Sequence, residues 1–145
     1  YGANFTYQEH AFHRSWFSAF KSLILTGISV LVLMSPLKKL VKPFLPKPGE
    51  GPSEAVQENG WFDCKFIVET EDGLKSVFTM HGKGDPGYKV TSKLVSECAL
   101  CLIEDADSLP GGSHYGGVLT SASGLGQPLI SRLIKAGISF KDTLS

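Results

Sequence analysis

The sequence predicts an α+β fold, in which a small mixed sheet and two or three helices follow one membrane-associated helix. Three observations lead to this prediction: an almost uncharged apolar segment near the N-terminus, a proline-rich segment after it, and strand and helix patterns in the second half. With 145 residues, the chain is long enough for one modest domain. We divide it into an N-terminal arm (1–14), a membrane-associated helix (15–37), a Pro-rich connector (38–60) and an α+β domain (61–145).

The charge balance argues against a nucleic-acid partner. Lys and Arg together number 14, as do Asp and Glu, so the formal net charge is zero and no overall field attracts a polyanion. The three cysteines form an odd set without the spacing of a disulfide framework. We therefore expect them to be buried as small hydrophobic residues or kept reduced.

The N-terminal arm alternates aromatic and polar residues, which indicates a short strand or an extended segment. The chain does not begin with Met, and its first residues lack the order of a signal peptide, so we expect further residues before Tyr1. His10 and His13 could share one face of a helix and bind a metal or a pigment. Because the sequence offers no third ligand beside them, we favour interfacial histidines.

The second segment has the composition of a membrane helix. From Ser22 to Leu37 there are 16 residues without a charge, and extension back to Ser15 adds only Lys21. A soluble core helix would normally keep one polar face, which this segment lacks, so a spanning helix is favoured over an embedded or re-entrant one. The residues predicted to contact the membrane are Trp16, Phe17, Phe20, Leu23, Ile24, Ile28, Leu31, Leu33, Lys38 and Lys39.

Lysines follow the apolar segment at positions 38, 39, 42 and 47 and are suited to an anionic surface. For a spanning helix, their position predicts that residues 38–145 face the matrix, stroma or cytosol. We expect the membrane itself to be organellar, either mitochondrial or chloroplast. Four prolines between 43 and 52 make the connector stiff. Ser53 and Glu54 can open a short helical turn that ends at Asn59-Gly60.

The α+β domain begins with a predicted hairpin. Apolar and polar residues alternate over Trp61–Thr70 and again over Leu74–His81, and Asp72-Gly73 between them indicates a two-residue turn. A Gly-rich turn follows over Gly82–Gly87.

Two helices and two short strands complete the predicted domain. Thr91–Glu104 is expected to be helical, with an apolar stripe at Leu94, Val95, Cys98 and Leu102. A short strand is expected over Val118–Thr120. Pro128 is expected to be the first residue of a second helix that ends at Gly137, and Ile138–Phe140 to be the last strand.

No catalytic, cofactor-binding or metal-binding residue is predicted. Cys98-x-x-Cys101 lies inside a helix and lacks a second ligand pair, which indicates structural cysteines. The Gly82–Gly87 turn has glycines at G-x-G-x-x-G spacing, but Pro86 removes a backbone donor that a phosphate would need, and we interpret the segment as a turn. Ser92, His81 and Asp85 could be combined into a triad on paper, but no nucleophile elbow supports it.

An ordered series of short segments in the second half carries a family resemblance. The segments are Lys47–Ser53, Asn59–Phe62, Gly84–Tyr88, Leu109-Pro110, Gly116–Thr120 and Leu129–Phe140. With them, the chain resembles the C-terminal region of the saccharopine-dehydrogenase-like oxidoreductases, the membrane-associated family that includes trans-acting enoyl reductases. Thr120-Ser121-Ala122 stands where relatives often have Thr-Pro-Ala, which loosens the match there.

The resemblance implies a protein with an N-terminal Rossmann domain for NAD(P) and a second domain whose mixed sheet packs beside the cofactor cleft. The one G-x-G-x-x-G spacing in this sequence, Gly82–Gly87, contains Pro86, which removes a backbone donor, and we interpret it as a turn. NAD(P) is therefore implied only for full-length relatives, and no cofactor is expected in this chain. The resemblance also places Asp85 and Tyr88 on a loop that borders a substrate cleft, without a catalytic role.

Three functional hypotheses follow. The favoured one is a non-catalytic accessory subunit of an organellar membrane complex, derived from a saccharopine-dehydrogenase-like protein, with membrane lipid and other subunits as partners. The first alternative is the C-terminal fragment of a membrane-associated NAD(P)-dependent oxidoreductase. The second alternative is a peripheral module that binds lipid through the apolar segment and its lysines.

Overall fold

The computed structural model describes residues 4–47, 49–112 and 114–143. It contains two compact units, Tyr1–Glu50 and Gly51–Ser145. The predicted α+β class is confirmed, because six α-helices accompany one three-stranded sheet in the described residues.

The first unit is built on helix α1, Trp16–Met34. Ser15 caps its N-terminus, since its hydroxyl accepts a hydrogen bond from the Ser18 N–H at 3.2 Å. The helix ends just before Pro36, because a proline disfavours the helical conformation of the residue that precedes it. The described residues before Ser15 form no helix or strand, which fits the extended segment among the two predicted alternatives.

The connector contains short helices where the sequence indicated only one. Helix α2, Lys38–Val41, runs directly into a 3₁₀ turn over Lys42–Phe44, in which Pro43 lies near the start. The predicted turn after Ser53 is helix α3, Glu54–Asn59. The Ser53 hydroxyl accepts a hydrogen bond from the Val56 N–H at 3.4 Å and so caps α3.

The sheet of the second unit consists of β1, Trp61–Glu69, β2, Lys75–Lys83, and β3, Ser139–Thr143, in the order β1-β2-β3. Both pairings are antiparallel. The prediction of a mixed sheet is therefore wrong for the described residues.

The hairpin turn is longer than predicted. The Gly73 N–H donates to the Thr70 carbonyl at 2.9 Å, and the Thr70 N–H donates to the Leu74 carbonyl at 3.0 Å. These bonds close a three-residue loop over residues 71–73, in which Gly73 has a φ of 83°. The predicted two-residue turn is therefore wrong, because Gly73 takes the left-handed position of a wider loop.

Three helices follow β2 in the described residues: α4, Lys89–Glu104, α5, Ser121–Gly124, and α6, Gly126–Lys135. Pro128 is the third residue of α6 rather than the first. The strand expected over Val118–Thr120 is absent, and that prediction is wrong. Thr120 instead caps α5, because its hydroxyl accepts from the Ser123 N–H and its own N–H donates to the Ser123 hydroxyl.

The core lies between α4, α6 and the end of the sheet that contains Gly82. Its buried residues are Val90, Cys101, Leu125, Leu129, Leu133 and Ile138, and Phe62, Met80, Leu94, Cys98 and Leu109 pack against them. The apolar stripe predicted for α4 is partly wrong, since Val95 and Leu102 are exposed. The buried face of α4 begins one turn earlier, at Val90, and ends at Cys101.

Candidate functional site

The predicted membrane contacts all lie on exposed surface of the first unit. Helix α1 has 19 residues and a mean hydropathy of 1.9, and none of its residues is buried. At 1.5 Å per residue its length is about 28 Å, close to the roughly 30 Å of a hydrocarbon core. By length and composition, α1 is the one helix among the described residues that could cross a membrane.

Aromatic and lysine side chains mark the two ends of this helix. Trp16 and Phe17 stack edge to face at 6.1 Å and are 80% and 65% exposed. Lys38 and Lys39 are exposed in α2, beyond the other end. Each end therefore carries residue types that favour a membrane–water boundary.

An apolar groove runs between α1 and the segment that follows it. One open cavity of about 320 Å³ is lined by Ile28, Ser29, Val32, Leu33, Val41 and Leu45. A second, of about 450 Å³, is lined by Leu33, Leu45, Lys38, Lys39 and Lys42. Because Leu33 and Leu45 line both cavities, the apolar part of the groove adjoins the three lysines. We call this feature the basic groove.

Asp85 organises the predicted cleft loop in the second unit. Its carboxylate accepts a hydrogen bond from the Tyr88 N–H at 2.7 Å, and its carbonyl accepts from the Val90 N–H at 2.9 Å. The Asp85 N–H donates to the Gln57 carbonyl at 2.8 Å, which joins the loop to α3. Asp85 thus has a structural role at the start of α4, and its place at a substrate cleft stays a prediction.

Tyr88 directly precedes α4 and exposes 57% of its surface. The next residue, Lys89, forms an ion pair with Glu58 of α3, and this hydrogen bond lowers the pKa of the Glu58 carboxyl. Asp85 and Lys89, on either side of this loop, therefore both bind residues of α3. These contacts fix the backbone of the loop next to the start of α4, where the Tyr88 side chain is exposed.

The cysteines and histidines do not form a metal site within the described residues. Burial raises the pKa of the Cys98 and Cys101 thiols, as expected for structural cysteines, whereas Cys64 is exposed. His81 pairs with Asp63 of the neighbouring strand, with 2.6 Å between Nδ1 and Oδ1, and not with Asp85. The triad drawn on paper from Ser92, His81 and Asp85 is therefore not assembled.

Arg132 forms an ion-pair cluster that sequence reasoning missed. Its guanidinium donates to Glu97 at 3.1 Å, to Glu104 at 2.8 Å and to Asp105 at 2.9 Å. These carboxylates raise the pKa of Arg132. The cluster joins α6 to the C-terminal half of α4 and leaves the guanidinium occupied, so its role is structural.

An apolar patch covers the distal part of one sheet face. Antiparallel register places Phe66 opposite Phe78 and Val68 opposite Ser76. Phe66, Val68 and Phe78 are 48%, 46% and 41% exposed, although Phe62 and Met80 on the same face pack on the core. Alternation within β1 predicts this face from the sequence, but it does not predict which end of the face the helices leave uncovered.

The relatives of this chain are named as trans-acting enoyl reductases. It is 44% identical over 104 residues to a Mycobacterium tuberculosis protein named as a trans-acting enoyl reductase, a match over 72% of this chain and 24% of the relative. It is 36% identical over 101 residues to the trans-acting enoyl reductase of Mycobacterium bovis, over 70% of the chain and 23% of the relative. That of Mycobacterium ulcerans is 37% identical over 93 residues, 64% of the chain and 21% of the relative.

The chain thus spans about a quarter of the length of the curated relatives it matches. The resemblance to trans-acting enoyl reductases is confirmed, while the wider saccharopine-dehydrogenase-like affiliation stays a prediction. No family model and no solved structure matches the chain.

Proposed function

We propose that this chain is the C-terminal part of a membrane-associated oxidoreductase that reduces an enoyl group with a nicotinamide cofactor. The observation that carries the proposal is the 44% identity over 104 residues to a protein named as a trans-acting enoyl reductase. That activity belongs to the relative by name, and its extension to this protein is our inference.

Within such an enzyme, this chain supplies attachment and support rather than the cofactor site. Its Gly82–Gly87 turn has the G-x-G-x-x-G spacing, but it follows a strand of an antiparallel hairpin and not of a βαβ unit. Pro86 has no N–H, and the N–H groups of Gly84 and Asp85 already donate to the Gly60 and Gln57 carbonyls, so these positions have no donor left for a pyrophosphate. Gly84 has a φ of 115°, and a Cβ at this position would lie 3.3 Å from the Lys89 and Val90 side chains, so glycine here suits the turn and its packing. Nicotinamide binding is therefore assigned to another region of the enzyme.

Membrane association is assigned to α1 and the lysines after it. The support comes from the exposed apolar surface around α1 and from the aromatic and lysine residues at its ends. A membrane-bound reductase can meet long-chain substrates where they dissolve, which suits an enoyl substrate with an acyl chain.

The accessory-subunit hypothesis receives no support from the relatives, because they are named as enzymes. The mass of the protein in its native membrane separates the two ideas. A protein about three times the length of this chain is expected, by analogy with the relatives. A species of this length alone, migrating within a large complex, would instead favour the subunit.

The activity is tested with the full-length protein purified from its native membrane. NADPH is supplied with a long-chain trans-2-enoyl thioester, and hydride transfer to the β-carbon with proton addition to the α-carbon should give the saturated thioester. One NADPH is expected to be oxidised per double bond reduced, measured by absorbance and by mass spectrometry of the product. A protein that binds NADPH but leaves every enoyl thioester unchanged would contradict the proposal.

A further inference from the structure

The basic groove combines an apolar lining with a cluster of lysines. Its apolar part is lined by Ile28 and Val32, one turn apart on α1, and by Val41 from the opposite side. Its other part is bordered by Lys38, Lys39 and Lys42. A ligand that fills both parts needs an apolar chain joined to an anionic group.

The charges around the groove favour an anion. The ion pairs recorded among the described residues lie elsewhere in the chain, so Lys38, Lys39 and Lys42 have no acidic partner within that part. Lys38 and Lys42 are four residues apart, where two like charges on a helical face repel each other. A bound phosphate would remove this repulsion and would accept hydrogen bonds from several ammonium groups.

The groove also lies at the end of α1, where a membrane phospholipid would place its acyl chain beside its phosphate. Helix α1 ends at Met34, and the lysines follow within eight residues. Exposed Leu37, Leu40 and Phe44 alternate with the lysines, which gives α2 and the 3₁₀ turn the character of an interfacial segment. The ester end of an acyl chain that lies beside α1 is therefore close to the three ammonium groups.

We propose that the basic groove binds one anionic phospholipid, with its acyl chain against Val32 and Val41 and its phosphate held by Lys38, Lys39 and Lys42. The proposal rests on the membrane association of α1 proposed above and adds a defined site and a headgroup preference to it. A zwitterionic lipid is a poorer occupant, because its own cation would lie among three lysines.

The test uses the full-length protein in detergent, mixed with equal amounts of dioleoyl phosphatidylglycerol and dioleoyl phosphatidylcholine. Native mass spectrometry then counts the lipid retained on the protein. One phosphatidylglycerol is expected, in about tenfold or greater excess over phosphatidylcholine. Equal retention of the two lipids would overturn the proposal.

Two pairs of variants distinguish lipid binding in the groove from general attraction of the lipid to positive charge. K38Q/K39Q/K42Q should lose the retained phosphatidylglycerol, whereas K65Q/K83Q/K141Q removes the same charge from exposed sheet residues and should keep it. Val41→Trp should also lose the lipid because it fills the groove, whereas Leu40→Trp, at a site 69% exposed and outside the lining, should not. If Val41→Trp retained phosphatidylglycerol at the wild-type level, the groove would not be the binding site.

Two further measurements keep the possible failures apart. Glycerol 3-phosphate, which has the phosphate but no chains, should not displace the lipid, and efficient displacement would contradict a phospholipid site. Retention in the membrane after alkaline carbonate extraction reports the association of α1 by itself. A protein that stays in the membrane but shows no lipid preference refutes the groove and leaves the proposed function intact.

Discussion

Arg132 shows how a single residue can organise a small domain without any local signal in the sequence. Its three carboxylate partners lie 27 to 35 positions earlier in the chain. Sequence patterns report neighbours within a few residues, so they could not pair Arg132 with Glu97, Glu104 and Asp105. The apolar periodicity of α6 predicts a stripe of Leu129, Ile130, Leu133 and Ile134. It is correct for the two leucines, which are buried, and wrong for the two isoleucines, which are exposed.

Two isoleucines near the end of α6 allow a matched test of the core. Ile138 is 2% exposed and Ile134 is 53% exposed. Ile138→Ala is expected to lower the free energy of unfolding by about 2–5 kcal/mol, because it leaves a cavity among Val90, Cys101 and Leu133. Ile134→Ala should change it by no more than about 0.5 kcal/mol in urea denaturation. Similar losses for both variants would contradict the described core.

The cysteines should differ in their reactivity. Burial raises the pKa of the Cys98 and Cys101 thiols, and a raised pKa leaves less of the reactive thiolate at a given pH. Iodoacetamide at pH 8 should therefore modify exposed Cys64 first, with the two α4 cysteines slower by about tenfold or more. Peptide mass spectrometry over time measures the three rates. In 8 M urea, used as the control, the difference should disappear; a difference that persists there would not arise from folding.

At the scale of elements, the hairpin, α4 and α6 were predictable because each has one strong period. Alternation identified β1 and β2, and spacing of three and four residues identified both helices. The strand expected over Val118–Thr120 failed for a local reason. The side chains of Thr120 and Ser123 each form a hydrogen bond with the backbone N–H of the other residue. Because this capping box begins α5 directly after Thr120, the preceding residues do not form a strand.

The hairpin loop gives a test of the corrected turn. Gly73 has a φ of 83°, so Gly73→Ala should lower the free energy of unfolding by about 1–2 kcal/mol through backbone strain. Gly116→Ala is the control, since no atom lies within 4 Å of its added Cβ and its φ is outside the left-handed region. Thermal or urea unfolding measures both. Equal effects of the two substitutions would argue against the three-residue loop.

For the whole molecule, the sequence predicted the candidate membrane residues but not the basic groove. The predicted positions on α1 are exposed, as composition alone suggested. The groove depends on how the chain turns after Pro36 to bring Val41 and Leu45 beside Ile28 and Val32. No short-range pattern encodes that turn, because it results from packing between segments separated by a proline.

Membrane insertion can be tested by one charge in the middle of α1. Ile24→Arg places a guanidinium near the centre of the apolar segment, where the cost is about 2.5–3.5 kcal/mol. The fraction of protein that resists carbonate extraction should fall sharply in this variant. Val118→Arg adds the same charge at a fully exposed loop position of the second unit and should leave the fraction unchanged. Full resistance of Ile24→Arg would show that α1 does not lie in the hydrocarbon core.

The outer edge of β1 has a practical consequence for handling this protein. β1 is nine residues long and pairs only with β2 among the described residues, so its other side offers a row of free peptide groups beside Phe66 and Val68. Unprotected rims of this kind recruit foreign strands and seed fibrils. Preparations restricted to Gly51–Ser145 should therefore precipitate as concentration rises, and short strand-mimicking peptides with N-methylated backbones should keep them in solution.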